Sequence, residues 1–214
     1  MNREEKIEKI VSILRKTNKI SMLGSFSRES PFYVLISTML SARNKDTMTR
    51  IAVKNLFARY KTPKDMADAP TTEIEGLIIK SGTYKTKARR IKETSKMLLE
   101  KYHGKVPDEM DELVKLPGVG RKTAGCVLVY AFDKQAIPVD VHVHRISNRL
   151  GLVKTEKRED TEQELMRKVP KRLWKHINEV LVVHGQTICR PINPMCKKCP
   201  ITKYCNYYKK YKKQ

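Results

Sequence analysis

Apolar residues recur at intervals of three and four along almost the whole chain, and alternation in twos is hardly seen. Such spacing buries hydrophobic side chains only if the segments are amphipathic helices, so the expected class is all-α. Ile7, Ile10, Val11 and Leu14 mark an N-terminal helix ahead of a Gly24-Ser25-Phe26-Ser27 loop. Ser30 followed by Pro31 reads as an N-cap and first helical position. The helix they open, through Phe32-Tyr33-Val34-Leu35-Ile36, is apolar all round and belongs at the centre of a bundle. Further stripes are Val53, Leu56, Phe57 and Tyr60; Ile74, Leu77 and Ile78; and Ile91, Ser95, Leu98, Leu99 and Tyr102. Thr62-Pro63 reads as another helix start, and Thr161 with Glu164 as a capping box. Leu173, Trp174, Ile177, Leu181, His184 and Ile188 mark a last long helix, and Tyr207 to Gln214 reads as a disordered tail.

The charge narrows the partner. Forty-five Lys and Arg against 23 Asp and Glu give +22 over 214 residues. That excess repels itself unless a polyanion uses it, and nucleic acid is the expected partner. From Val180 to Gln214 there is no acidic residue, while Arg190, Lys197, Lys198, Lys203, Lys209, Lys210, Lys212 and Lys213 supply eight positive charges. No apolar run approaches the roughly 20 residues of a membrane span, and MNREEKIEKI lacks a signal peptide's hydrophobic stretch. The expectation is a soluble intracellular protein with no membrane partner.

Cys189, Cys196, Cys199 and Cys205 form C-x6-C-x2-C-x5-C within 17 residues, with Cys126 the only cysteine among the 188 residues before them. Four thiols bunched this way read as a metal site rather than a disulfide framework. Structural zinc sites usually pair two short knuckles, and only Cys196-Lys197-Lys198-Cys199 has that spacing. A [4Fe–4S] cube accepts four cysteines at less regular intervals. Spacing leaves the two metals nearly balanced.

Leu116-Pro117-Gly118-Val119-Gly120-Arg121-Lys122-Thr123-Ala124 lies between a short helix around Met110, Leu113 and Val114 and an apolar helix from Thr123 to Phe132. Two glycines one residue apart let the backbone turn sharply and leave N–H groups bare for a phosphate at the next helix start. An ordinary helix-to-helix turn is the plainer alternative. Lys122 then stands in the first turn of a helix, against the positive end of the macrodipole, where a solvated surface lysine is the plainer reading. Eighteen residues on, Asp140 falls at the N-cap of a helix striped by Val143, Ile146 and Leu150 and stopped by Gly151. His142 and His144 lack metal-ligand spacing and are assigned to packing or phosphate contact, and His176 and His184 to packing.

In order along the chain, the LPGVGRKTA hairpin with Lys122, the VDVHVHRISNR segment with Asp140 and the four-cysteine cluster resemble the helix-hairpin-helix DNA glycosylases, and among them the endonuclease III family. The SPFYVLISTMLSA and SGTYKTKA segments extend the resemblance over nearly the whole chain. It implies two lobes with a DNA groove between them: a six-helix barrel over residues 23–134 that holds the hairpin, and a cluster lobe from residues 1–22 and 135–214. It implies that the metal is [4Fe–4S], held by Cys189, Cys196, Cys199 and Cys205. It implies a monomeric base-excision glycosylase and abasic-site lyase acting on damaged, expectedly oxidised pyrimidine, bases in double-stranded DNA. Lys122 would be the nucleophile and Asp140 the carboxylate that opposes charge on the sugar. Gly118, Val119, Gly120, Arg121, Arg190, Lys197 and Lys198 would contact DNA.

Two positions depart from the family pattern. Ser41-Ala42-Arg43 stands where Gln is usual after SA, and Gly82-Thr83-Tyr84 where Leu is usual. In the family these positions fill the gap left by a flipped base, so Arg43 and Thr83 bear on substrate preference and leave the chemistry intact. Asp46, three residues beyond Arg43, reads as an N-cap supporting the site. Rival readings are a mismatch-specific uracil or thymine glycosylase of the same superfamily, against which Lys122 argues, and a non-catalytic DNA-binding hairpin protein.

Overall fold

The structure, a computed structural model, describes residues 2–18, 21–27 and 29–211. Among them are twelve α-helices and no strand: α1 (Arg3–Thr17), α2 (Pro31–Ser41), α3 (Asp46–Arg59), α4 (Pro63–Asp68), α5 (Thr71–Leu77), α6 (Tyr84–Tyr102), α7 (Met110–Leu113), α8 (Arg121–Phe132), α9 (Val141–Leu150), α10 (Arg158–Lys168), α11 (Trp174–Thr187) and α12 (Asn206–Tyr211). The chain divides into two compact units, Ser25–Asp133 and Met1–Gly24 with Lys134–Gln214.

The Ser25–Asp133 unit is organised around α2. Val34, Leu35, Ile36, Ser37, Thr38, Met39 and Leu40 are all buried, as an apolar helix must be when neighbours surround it. It packs against α3, α6 and α8, while α4 and α5 lie on α6 and α7 on α8. Ser30 caps α2 by accepting from Tyr33 N–H, and Thr62 with Asp65 forms a reciprocal capping box at α4. Gly24–Phe26, expected as loop, is a 3₁₀ turn. Leu99 lies at the edge of the α6 stripe and is exposed.

The other unit joins the two chain ends. Ile7, Ile10, Val11 and Leu14 of α1 share one core with Val143, Ile146 and Leu150 of α9, Leu165 of α10, and Ile177, Val180 and Leu181 of α11. Gly151 ends α9 at φ +71° with Asn206 packed against its α-carbon, so a side chain there would be both strained and blocked. Gly185 on α11 leaves room for the His142 ring, whose Nδ1 lies 2.6 Å from where a β-carbon would be.

Three local expectations are corrected. Thr161 is not a cap: α10 begins at Arg158 after Lys157, and Thr161, fully buried, donates to Lys157 O at 2.9 Å and meets Thr155 Oγ1 at 2.6 Å. The Thr161/Glu164 spacing is equally an i, i+3 pair inside a helix, and Glu164 pairs instead with Arg167 and Lys168. Asp46 is the first residue of α3, with Lys45 at the N-cap, and complements the dipole from within the first turn. The segment from Asn206 to Tyr211 is helix α12, seated on α9, where a tail was expected; Lys212 to Gln214 lie outside the described residues.

Candidate functional site

In the Ser25–Asp133 unit, the turn between α7 and α8 is fixed from three sides. Leu116 O accepts from Val119 N–H at 3.0 Å, Thr94 Oγ1 on α6 donates to Pro117 O at 2.8 Å, and the Val119 side chain is buried as an anchor. Gly118 has φ +80°, and a β-carbon there would meet Arg90 Cδ at 2.6 Å, so glycine is required by conformation and by space. Gly120 is the N-cap of α8 and offers no side-chain cap. The first-turn amides of α8 therefore present an anion site of the kind a phosphate oxygen fits. Gly118, Gly120 and Arg121 are exposed beside it, and Lys122, half-buried, is the second residue of the helix.

The same unit brings Arg43 and Thr83 close in the fold. Both are exposed and both take the left-handed conformation, at φ 51° and 58°. A β-carbon on Gly82 would stand 3.4 Å from Arg43 O, so the two turns run side by side. Behind them Lys87, on α6, donates to Leu40 O, Ala42 O and Ser81 Oγ, each at 2.8 Å, and burial pulls its ammonium down to about 8. Sequence reasoning missed Lys87. The available signal was a cation in register with the apolar stripe of Ile91, Ser95 and Leu98.

Asp140 lies in the other unit, at the N-cap of α9. Its Oδ1 accepts from His142 N–H and Val143 N–H, both at 2.9 Å, so one oxygen serves the cap and fixes the carboxylate. His142 Nδ1 lies 3.1 Å from Arg145 Nη2, and His144 Nδ1 2.6 Å from Thr161 Oγ1, so both rings are held by protein partners. His184 is buried and held down to about 4 by that burial, with Nε2 3.5 Å from Cys199 Sγ.

Cys189, Cys196, Cys199 and Cys205 line one cavity, of about 370 Å³ including its open mouth, with Ile146 and Ile201 in its apolar wall. None is in a disulfide. Burial pushes the Cys196 and Cys205 thiols up and that of Cys199 to about 11, which disfavours thiolates unless a cationic centre compensates. Among the described residues no three Cys, His, Asp or Glu side chains converge as a single ion requires. Four thiols lining one cavity are a donor set that a tetrahedral zinc or an iron–sulfur cluster accepts.

Two arginines from α9, also unanticipated, hold the cysteine segment. Arg145 Nη2 donates to Cys189 O at 2.8 Å. Arg149 donates to Arg190 O at 2.7 Å, Pro191 O at 2.8 Å and Cys189 Sγ at 3.4 Å, and its guanidinium lies over the Tyr207 ring. Arg190, Lys197 and Lys198 are exposed on this segment, and Ile192 at its tip is 80% exposed.

Residues 36–171 match the HhH-GPD superfamily base excision DNA repair protein family. Endonuclease III of Thermotoga maritima is 51% identical over 180 residues, covering 84% of each chain. A solved non-covalent endonuclease III–DNA complex superposes with a TM-score of 0.89 at 35% identity over 100% of both chains. A trapped endonuclease III–DNA covalent intermediate gives 0.86 at 35% identity over 99% of each. The chain belongs to the endonuclease III family of HhH-GPD base excision DNA repair proteins.

Proposed function

We propose that this DNA glycosylase and abasic-site lyase uses Lys122 as its nucleophile and Asp140 as the carboxylate that supports base loss. The observation that carries the reading is the place of Lys122, in the first turn of α8 directly after the uncapped Gly118–Gly120 turn. A phosphate held by those amides fixes the amine beside a deoxyribose. A stacked base shields its sugar carbon, so the nucleotide is first flipped, at a cost of a few kcal/mol that is least for a damaged base. The neutral Lys122 amine forms a bond to C1′ while the bond from C1′ to the base breaks, the base leaving with the electron pair. Asp140, its Oδ1 occupied by the cap, opposes the positive charge developing on the sugar and assists proton transfer. Ring opening gives a lysine–sugar Schiff base. Loss of a C2′ proton then expels the 3′ phosphate and nicks the strand, and water releases the lysine.

The partner is double-stranded DNA with a damaged base or an abasic site, and the proposed preference is for oxidised pyrimidines. Gly118, Val119, Gly120 and Arg121 hold phosphate, Arg43 and Thr83 fill the gap left by the flipped base, and Arg190, Lys197 and Lys198 contact the backbone. Residues 23–134 form the hairpin lobe, and 1–22 with 135–214 the cluster lobe. Cys189, Cys196, Cys199 and Cys205 hold a [4Fe–4S] cluster, whose bound iron supplies the cationic centre their thiolates need. Base excision by an amine transfers no electron, so the cluster's task is to fix the segment bearing Arg190, Lys197 and Lys198. The enzyme works as a soluble intracellular monomer; no described helix is long and apolar enough to cross a membrane.

The test is borohydride trapping. Wild-type protein mixed with damaged duplex is expected to give a covalent complex. Lys122→Gln should bind the same duplex yet give neither complex nor nick, because an amide cannot form an iminium. A trapped complex with Lys122→Gln would assign the chemistry to another amine, such as Lys45 or the N-terminus.

A further inference from the structure

Lys87 is a cation the chemistry above leaves unused and a hydrophobic core would exclude. It is 7% exposed, yet its ammonium has a full set of three acceptors, Leu40 O, Ala42 O and Ser81 Oγ. Ser81 Oγ also donates to Leu40 O at 3.3 Å and accepts from Asn44 Nδ2, which reaches Thr49 Oγ1 as well. These acceptors come from two places, the carboxyl end of α2 and the turn ahead of α6. The last carbonyls of α2 are the negative end of its macrodipole, so a cation there is favoured and offsets part of its burial. Arg43 directly follows Ala42, and Thr83 is two residues past Ser81. A β-branched threonine in the left-handed region is strained and persists only where its surroundings over-determine it.

We propose that Lys87 is the positioning residue that clamps the end of α2 to the 81–83 turn and so presets Arg43 and Thr83 for entry into DNA. The proposal rests on the reading that these two residues fill the gap left by a flipped base. Its logic is that of preorganisation: a pair of turns set before the duplex arrives loses no freedom on opening it, and a displacement of about 1 Å can cost about 100-fold in rate.

The experiment uses full-length, cluster-loaded protein and duplex DNA with 2-aminopurine beside the damaged base, whose fluorescence reports unstacking. Lys87→Met keeps the apolar stem and removes the three donors. Opening and excision on duplex should fall about 100-fold, whereas trapping on single-stranded DNA with an abasic site, which needs no opening, should fall far less. If circular dichroism shows Lys87→Met unfolded, Ser81→Ala, which removes one acceptor, takes its place, with the same pattern at about tenfold. No loss on duplex, or an equal loss on both substrates, overturns the proposal. Arg43→Ala and Thr83→Gly run in parallel. Should they leave opening intact, the gap-filling reading and the clamp fall together; should they slow it while the Lys87 and Ser81 variants do not, the clamp alone falls.

Discussion

The Ser25–Asp133 unit and the unit that joins the chain ends hold their irregular segments in opposite ways. In the first, every constraint is made of protein atoms: Lys87 beneath the turns of Arg43 and Thr83, Thr94 on Pro117 O, and Arg90 in the space beside Gly118. In the second, residues 189–205 carry little regular structure, and four half-buried cysteines line a cavity while Arg145 and Arg149 hold the segment through three of its carbonyls and one sulfur. A hairpin of the first kind is organised as soon as its core forms. A segment of the second kind keeps burial costs that the proposed cluster would remove, so the proposal links its order to metal.

That difference predicts where metal loss is felt. Cys199→Ser should lose the broad absorbance near ~400 nm expected of a cubane cluster and the cooperative melting of the unit that contains it. Hydrogen exchange should then show α9 and α11 exposed while amides of α2 and α8 stay protected. Uniform loss of protection in both units would break the comparison, and a colourless wild-type protein with one zinc per chain would remove its basis. Cys126, fully buried in α8 and remote in sequence from the cavity, should be replaceable by Ala with the colour intact.

Asp140 sharpens the comparison because its capping role is visible in the structure and its proposed catalytic role is not. Asn ranks with Asp as an N-cap, so Asp140→Asn should keep both amide bonds and the stability of α9. Losing the negative charge should slow excision on the order of 100-fold or more, by analogy with removing one group that stabilises transition-state charge. Excision by Asp140→Asn close to wild type would leave the residue as a cap alone.

In the first unit the corresponding weak point is geometric. Gly118→Val places a β-branched residue at φ +80° and pushes into Arg90, so the turn must shift. Affinity for undamaged duplex should fall about tenfold, with the protein's colour unchanged. Unaltered affinity would mean that phosphate is not held by this turn.

How much of this was legible in the sequence follows the range of the interactions. Helices whose stripes and caps are local, such as α1, α2 and α4, stand where periodicity and Ser30 or Thr62 put them. Asp140 as an N-cap was readable for the same reason. Thr161 misled because an i, i+3 pair of Thr and Glu looks the same at a helix start and inside one, and only its contacts with Thr155 and His144 tell them apart. The helix Asn206–Tyr211 was hidden by its charge, since its seat is made by α9, far off in sequence. Lys87 and Arg149 act on carbonyls more than forty residues away in the chain, and no local pattern encodes that; only the misfit of a cation in an apolar stripe hints at the first.

The smallest expected effect concerns how the cysteine segment meets DNA. Lys197 and Lys198 lie in a 3₁₀ turn between Cys196 and Cys199, exposed, so truncating them should change neither colour nor fold. If each neutralises one phosphate, the slope of log K against log salt for undamaged duplex should flatten by roughly 0.9 per lysine removed. The Gly118 turn is proposed to hold phosphate through backbone amides, which involves no lysine-borne charge. Gly118→Val should therefore lower affinity at every salt concentration while leaving the slope nearly as it was. A flattened slope in the lysine variants and a parallel line in the glycine variant would assign charge neutralisation to the cysteine segment and shape to the Gly118 turn. The same slope in all three would mean that the cysteine segment faces away from DNA and that its order serves stability alone.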